Sequence, residues 1–261
     1  MSLKANNNKS ITVIIAAAGA SSRLDGYKGT SKQFIQVNGK PLLIYSLEKF
    51  LMIKNIAQII VVSNDPAKTL DLINSFYPKL DIKVDAVAGG KLRQDSVYNG
   101  FCKINKNTDL VLIHDVARPL VNISDIEKCI EIASKSGSAV LAIPVVDTLK
   151  KAKYDNDELI ATETINREGL FAVQTPQIFS YTLLLEAYKV YRNSPASELT
   201  NNLFTDEASM IELLTGKVNL VLGLRSNIKI TYLEDLLLAE SIFKNQDSII
   251  NRKLKKQMLE I

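Results

Sequence analysis

Short, continuous apolar runs alternate along this chain with segments whose apolar positions recur at helical spacing. Residues 11–16, ITVIIA, form the first run, the composition of a strand buried on both faces of a parallel sheet. Leu43, Leu47, Phe50 and Leu51 then mark one face of a helix predicted from Pro41 to about Lys54, proline being favourable in a first turn. The alternation continues with a strand at 58–63, a helix opened by Asp65-Pro66 and reaching about Phe76, and a strand at 82–88 that runs into Gly89-Gly90. A helix holding Val97, Phe101 and Ile104 follows, then a strand at 109–113, a helix from the capping box Ser124-Asp-Ile-Glu127 to Gly137, and a strand at 138–143. Such alternation predicts an α/β fold: a mostly parallel, doubly wound, Rossmann-like sheet with right-handed crossovers.

Between 144 and 172 the rhythm changes. VVDTLKKA and ELIATETI are short alternating β-branched segments on either side of Tyr154-Asp-Asn-Asp, the pattern of a β-hairpin. A hairpin projecting from an α/β core has edges and an apolar face that call for a partner, so this arm is expected to serve association. Helical patterning resumes at 181–191, a polar loop spans 193–202, and a short helix is predicted at 206–214. Strands are predicted at 217–223 and 227–230, and Thr231-Tyr-Leu-Glu234 is a capping box for a helix ending near Phe243. The division expected is a disordered polar tail at 1–10, one domain over 11–243 with its β-arm at about 145–170, and a charged tail at 244–261 to which no function is assigned.

Composition narrows the function classes. The chain has 261 residues, 46% of them hydrophobic and 23% charged, ample for one large globular core. No apolar run approaches the 18 or so residues of a membrane span. The net charge of +4 suits anionic substrates but is too small to argue for nucleic acid. A single histidine, His114, excludes a histidine-rich metal site and argues against a serine–histidine triad. Cys102 and Cys129 fall inside helical patterns and read as packed thiols rather than a bridge, in keeping with a reducing cytoplasm.

The candidate chemistry lies at the predicted C-terminal strand ends, where ligands bind in sheets of this kind. The stretch 11–41 continues from its strand into Ala16-Ala17-Ala18-Gly19, Ala20, Ser21, Ser22 and Arg23, and reaches Lys32 through a long loop. Free amides, hydroxyls and two cations at the end of a buried strand describe a phosphate cradle. It is not a Walker A loop, since no Gly-Lys-Ser/Thr closes it, and the later glycines of a dinucleotide fingerprint are missing. Two further loops, 89–96 and 115–118, are predicted at the same edge. Structural readings compete at several positions. His114 reads as a hydrogen-bonded core residue, Arg118 as an ion-pair residue, and Asp206 and Glu207 as acids complementing a helix N-terminus. Thr205 reads as a cap of that helix and also as a candidate for substrate contact.

Over nearly all of 11–243 the chain resembles the 2-C-methyl-D-erythritol 4-phosphate cytidylyltransferases of non-mevalonate isoprenoid synthesis. The resemblance is carried by AAAGASSRL with the later KQF, by GG–R–DSV at 89–97, and by HDVARP at 114–119. PVVDTLK, NREGLFAVQTPQIF, TDEAS and NIKIT followed by EDLLLAE complete it. It implies a nucleotidyltransferase fold with a protruding β-arm that dimerises. It also implies transfer of CMP from CTP to a methylerythritol phosphate, release of pyrophosphate, and Mg²⁺ as cofactor. It puts Ala17, Ala18, Gly19, Ala20 and Ser21 around the nucleotide, Gly90 and Ser96 at the cytosine, and Arg93 on the nucleotide. Arg23 and Lys32 become the cations on the triphosphate, and Asp115 a residue near the ribose and metal. Thr148 and Arg167 reach the sugar phosphate from the partner's arm, Thr205 contacts the substrate, and Lys229 faces the attacking phosphate. A ribitol 5-phosphate cytidylyltransferase and a non-catalytic nucleotide-binding module are the alternatives.

This reaction suits a chain with one histidine. A phosphate monoester has a second pKa of about 6, so the nucleophile is already anionic near neutrality and needs no general base. The obstacle is repulsion between a dianion and a charged α-phosphate, which fixed cations and a metal relieve.

Overall fold

The computed structural model describes residues 9–19, 23–24, 26–27, 29–194 and 204–258, the last thirteen by backbone alone. Seven strands form the central sheet in the order β11-β7-β10-β6-β1-β4-β5. These are β1 (Ile11–Ala16), β4 (Ile56–Ser63), β5 (Lys83–Ala88), β6 (Leu110–Asp115), β7 (Ser138–Pro144), β10 (Phe171–Ser180) and β11 (Leu220–Leu222). All neighbouring pairs are parallel except the two that β10 makes with β6 and β7. The mostly parallel α/β sheet read from the sequence is therefore observed, with one antiparallel strand inserted.

The helices divide between the two faces as successive strand side chains do. On one face, α1 (Leu42–Leu51), α2 (Pro66–Phe76) and α4 (Ile123–Ser136) pack Leu47, Phe50, Ile73 and Ile126 against Val13, Ile15, Ile59 and Leu112. On the other, α3 (Arg93–Phe101), α5 (Tyr181–Asn193) and α6 (Glu207–Thr215) pack Val97, Phe101, Tyr188 and Ile211 against Ile14, Val111 and Phe179. A third cluster matters most for function. Here α7 (Leu233–Met258) lays Leu236, Ala239 and Phe243 on Leu24, Ile35, Val37 and Leu42. It thereby presses residues 227–232 against the turn that carries Lys32, itself a short 3₁₀ segment, Lys32–Phe34, followed by the small hairpin β2 (Gln36–Val37) and β3 (Lys40–Pro41).

Several expectations are corrected. β10 was not read from the pattern, because Gln174, Thr175, Pro176 and Gln177 interrupt its apolar run; the three non-proline residues are buried and hydrogen-bonded. No strand forms at 227–230. The cap of α4 is Asn122, whose side chain accepts from the Ser124 amide, so Ser124 is already helical. Before α7, the amides of Thr231 and Tyr232 donate to Asp235 rather than to Glu234, and that helix runs to Met258 instead of ending near Phe243. Pro41 caps α1 rather than opening its first turn. The two last residues of the expected N-terminal tail are anchored, Lys9 by its ammonium on the Ser134 carbonyl and Ser10 by its carbonyl on the Asp109 amide. Cys129 is buried as expected, but Cys102 is exposed. The hairpin is present as β8 (Leu149–Asp155) and β9 (Glu158–Ile165), pairing only with each other, and it exposes Leu149, Tyr154, Leu159 and Ile160. Among the described residues no helix is long and apolar enough to cross a membrane.

Candidate active site

A cleft of about 410 Å³ opens over the C-terminal ends of β1, β5 and β6. Register explains why the loops meet there. Ala16 at the end of β1 pairs with Val62 on one side and Asp115 on the other, while Ser63 pairs with Ala88. The three strands thus stop level and release their loops into one space. Of the residues expected at the site, Ala18, Gly19, Arg23, Lys32, Gly90, Arg93, Ser96, Asp115 and Lys229 line this cleft.

The glycine pair is required by close approach. A Cβ on Gly89 would lie 2.5 Å from the Ala18 methyl, and one on Gly90 would lie 2.5 Å from the Asp95 Cβ. Only bare backbone lets the loop fold this tightly onto the start of α3. Ser96 locks it there, accepting from the Gly90 amide at 2.9 Å and donating to the Leu92 carbonyl at 3.0 Å.

Charge is concentrated around Asp115. Arg93 donates to its Oδ1 through Nε at 3.3 Å and Nη2 at 3.2 Å, and the Lys229 ammonium reaches Oδ2 at 2.7 Å. Arg93 turns its remaining arm, Nη1, to Glu207 Oε2 at 2.8 Å. Burial alone would raise the Asp115 pKa, but Arg93 and then Lys229 outweigh it and hold the carboxyl well below the usual carboxylate range. Lys32 donates to the Ile230 carbonyl at 2.8 Å, one residue from Lys229. Burial, then the nearby charges of Lys229 and Arg23, lower its ammonium pKa. Arg23 stands over the Tyr232 ring, 5.7 Å from its centroid. With Lys91 beside Arg93, five cations thus face one cleft from four segments of chain. Such an arrangement can neutralise a polyphosphate and bring a second anion beside it.

Below the cleft, His114 is buried with Nδ1 3.0 Å from the Thr175 hydroxyl and Nε2 3.1 Å from the Arg118 carbonyl, the core role expected of it. Arg118 makes no ion pair among the described residues; it donates to the carbonyls of Asn227 and Val173. Asp206 is the cap of α6, which leaves Thr205 exposed ahead of the helix and outside the cleft lining. Ala17 also departs from expectation: its side chain is in the core and its amide is already bonded to the Val62 carbonyl. Thr148 and Arg167 lie at the base of the arm, exposed and not lining their own chain's cleft, with the Arg167 guanidinium on the Val146 carbonyl. Ala20 and Ser21 lie outside the described residues. Lys91, Leu92, Val116 and Ala117 join the lining without having been named as site residues, although Val116 and Ala117 directly follow Asp115 in the HDVARP motif.

A mostly parallel α/β sheet with a glycine-walled, cation-lined cleft over its strand ends defines a nucleotidyltransferase type of site. The family model for 2-C-methyl-D-erythritol 4-phosphate cytidylyltransferase (IspD) matches residues 11–245, and the chain belongs to that family. It is 39% identical over 235 residues to the 2-C-methyl-D-erythritol 4-phosphate cytidylyltransferase of Clostridium botulinum strain Langeland, covering 89% of this chain and 97% of that protein. Among solved structures it is similar to 4-diphosphocytidyl-2C-methyl-D-erythritol synthase from Anaerococcus prevotii, with a TM-score of 0.74, 30% identity and coverage of 91% and 97% of the two chains. The 2-C-methyl-D-erythritol 4-phosphate cytidylyltransferase from Thermus thermophilus superposes with a TM-score of 0.68 at 32% identity, covering 89% of this chain and 98% of that one.

Proposed function

We propose that this chain carries out its family's reaction in the cleft described: CMP passes from CTP to 2-C-methyl-D-erythritol 4-phosphate, giving 4-diphosphocytidyl-2-C-methyl-D-erythritol and pyrophosphate. The observation that carries the reading is the convergence of Arg23, Lys32, Arg93 and Lys229 on a cleft walled by Gly90 and Ser96. The cytosine sits against the 89–96 loop, where backbone polar groups are within reach. Arg23 and Lys32 hold the triphosphate. Lys229 leaves Asp115 for the incoming phosphate, whose oxygen attacks the α-phosphorus in line while the bond to pyrophosphate breaks. The attacking oxygen is anionic beforehand, so positioning and charge neutralisation are the whole of the chemistry required of the protein.

Mg²⁺ is the cofactor expected at Asp115. Among the described residues no group of three or more His, Cys, Asp or Glu is placed to hold a metal. A single carboxylate beside a polyphosphate site suits Mg²⁺, which takes phosphate oxygens and water as its other ligands. Bound there, it would supply further charge neutralisation. The arm is the proposed homodimer contact, bringing Thr148 and Arg167 to the partner's sugar phosphate; exposed Leu149, Leu159 and Ile160 support this. Both cysteines are free, which suits a cytoplasmic enzyme. Nucleic acid and membrane are not partners in this reading. The test is pyrophosphate release by the purified chain with CTP, Mg²⁺ and each polyol phosphate in parallel. Turnover with ribitol 5-phosphate alone would overturn the substrate assignment, and CTP binding without turnover on either acceptor would favour a binding module.

A further inference from the structure

Glu207 is the first residue of α6, and a first-turn acid ordinarily complements the helix dipole from a solvated position. Glu207 is instead 0% exposed. The helix end does not need it, because Asp206 already caps it, accepting from the Ser209 amide at 2.9 Å and from Gln177 at 2.6 Å. Burying a carboxylate is costly unless both oxygens are well served. Here Oε2 meets Arg93 Nη1 at 2.8 Å, while Oε1 is buried with no hydrogen-bond partner. Burial raises the Glu207 pKa, and the Tyr188 hydroxyl beside the carboxylate, its own pKa raised by burial and then by the Glu207 charge, is within its reach but not in good hydrogen-bond geometry. A buried ion pair is weak evidence of a stabilising role, since a pair replaced whole by apolar residues is often no less stable.

What Glu207 does achieve is geometric. A guanidinium is a rigid planar fork, so fixing one arm sets the direction of the other edge. With Nη1 held on Glu207, the Nε and Nη2 edge of Arg93 faces Asp115 Oδ1, at 3.3 and 3.2 Å. That leaves Oδ2 for Lys229. We propose that Glu207 is a positioning residue for this site, holding Arg93 so that Asp115 is turned with its second oxygen toward Lys229. The inference rests on reading the cleft as a cytidylyl-transfer site, and adds to it a residue that touches neither substrate nor reacting phosphorus.

The experiment is a double-mutant cycle on turnover in the full chain, comparing wild type, Glu207→Gln, Asp115→Asn and the double variant by radiolabelled pyrophosphate release over long incubations. Thermal midpoints are recorded for all four. If Glu207 acts through Asp115, Glu207→Gln lowers kcat about tenfold or more in the wild-type background, and less than about twofold once Asp115→Asn is present. A support of the fold alone would instead shift the thermal midpoint and leave kcat per folded molecule unchanged. Unchanged kcat, or losses that multiply in the double variant, would overturn the proposal. Should Glu207→Gln not fold, the same cycle run with Glu207→Asp, which keeps the charge, is read by the same criteria. Wild type separates the two layers. Normal wild-type turnover with multiplying losses removes only Glu207, whereas absence of wild-type turnover removes the functional reading and this inference with it.

Discussion

Acidification should expose what His114 contributes. It is the chain's only histidine, it lies beneath the site, and its hydrogen bonds define one protonation state. The Arg118 carbonyl can only accept, so Nε2 carries the proton, and Nδ1 accepts from the Thr175 hydroxyl. That hydroxyl in turn accepts from the Asp115 amide at 3.1 Å, so the chain of donors reaches the site. Protonating Nδ1 would force the Thr175 hydroxyl to turn its proton away and lose that acceptor. Burial lowers the imidazole pKa to about 4. The unfolded chain, with a value near 6.5, then binds the proton first, and stability falls as pH drops from about 6.5 toward about 4. At about 1.4 kcal/mol per unit the full loss is about 3 kcal/mol, of which about 2 kcal/mol falls between pH 7 and pH 5. Glu207 acts with the opposite sign, since burial raises its pKa and its penalty eases as pH falls. The informative quantity is therefore the difference between wild type and His114→Gln in urea unfolding at the two pH values. Wild type should lose about 2 kcal/mol more than the variant. Equal pH dependence in both, or a His114 imidazole that titrates above pH 6 by NMR, would refute the reasoning.

Two other predictions concern the cations. Lys32→Ala leaves the Ile230 carbonyl without its 2.8 Å donor but should fold, and it should lower kcat about a hundredfold, or about 3 kcal/mol of transition-state stabilisation; near-normal turnover in a folded variant would remove Lys32 from the mechanism. If the arm shares sites between subunits, mixing inactive Arg167→Ala and Lys32→Ala chains should restore part of the activity, and no rescue after verified subunit exchange would mean that each chain completes its own site.

The alternating sheet was legible because β1, β4, β6 and β7 are apolar runs buried on both faces, and a periodic pattern carries that directly. β10 was not, because its buried Gln174, Thr175 and Gln177 make the strand look like a loop; they hold Asn227, His114 and Asp206 in place, so polar satisfaction rather than hydrophobicity defines this strand. The extra turns of α7 were missed because the tail beyond Asn245 is strongly charged and only weakly amphipathic, Ile250, Leu254 and Met258 making a thin stripe in the sequence. At the site, motif resemblance pointed to Arg23, Lys32, Asp115 and Lys229, which line one cleft. The pairing of Arg93 with Glu207, 114 residues apart, was illegible: each residue has an ordinary local role, and only the fold makes them neighbours. Thr205 does not cap the helix, because its neighbour Asp206 is the better cap.

The central claim is that the cleft transfers CMP from CTP to a methylerythritol phosphate. CTP labelled at the α-phosphorus tests it most directly, incubated with the purified chain, Mg²⁺ and 2-C-methyl-D-erythritol 4-phosphate, with ribitol 5-phosphate in parallel. The account predicts label in the 4-diphosphocytidyl product and unlabelled pyrophosphate released in equal amount. Label appearing only with ribitol 5-phosphate, or remaining in CTP with both acceptors, would contradict it.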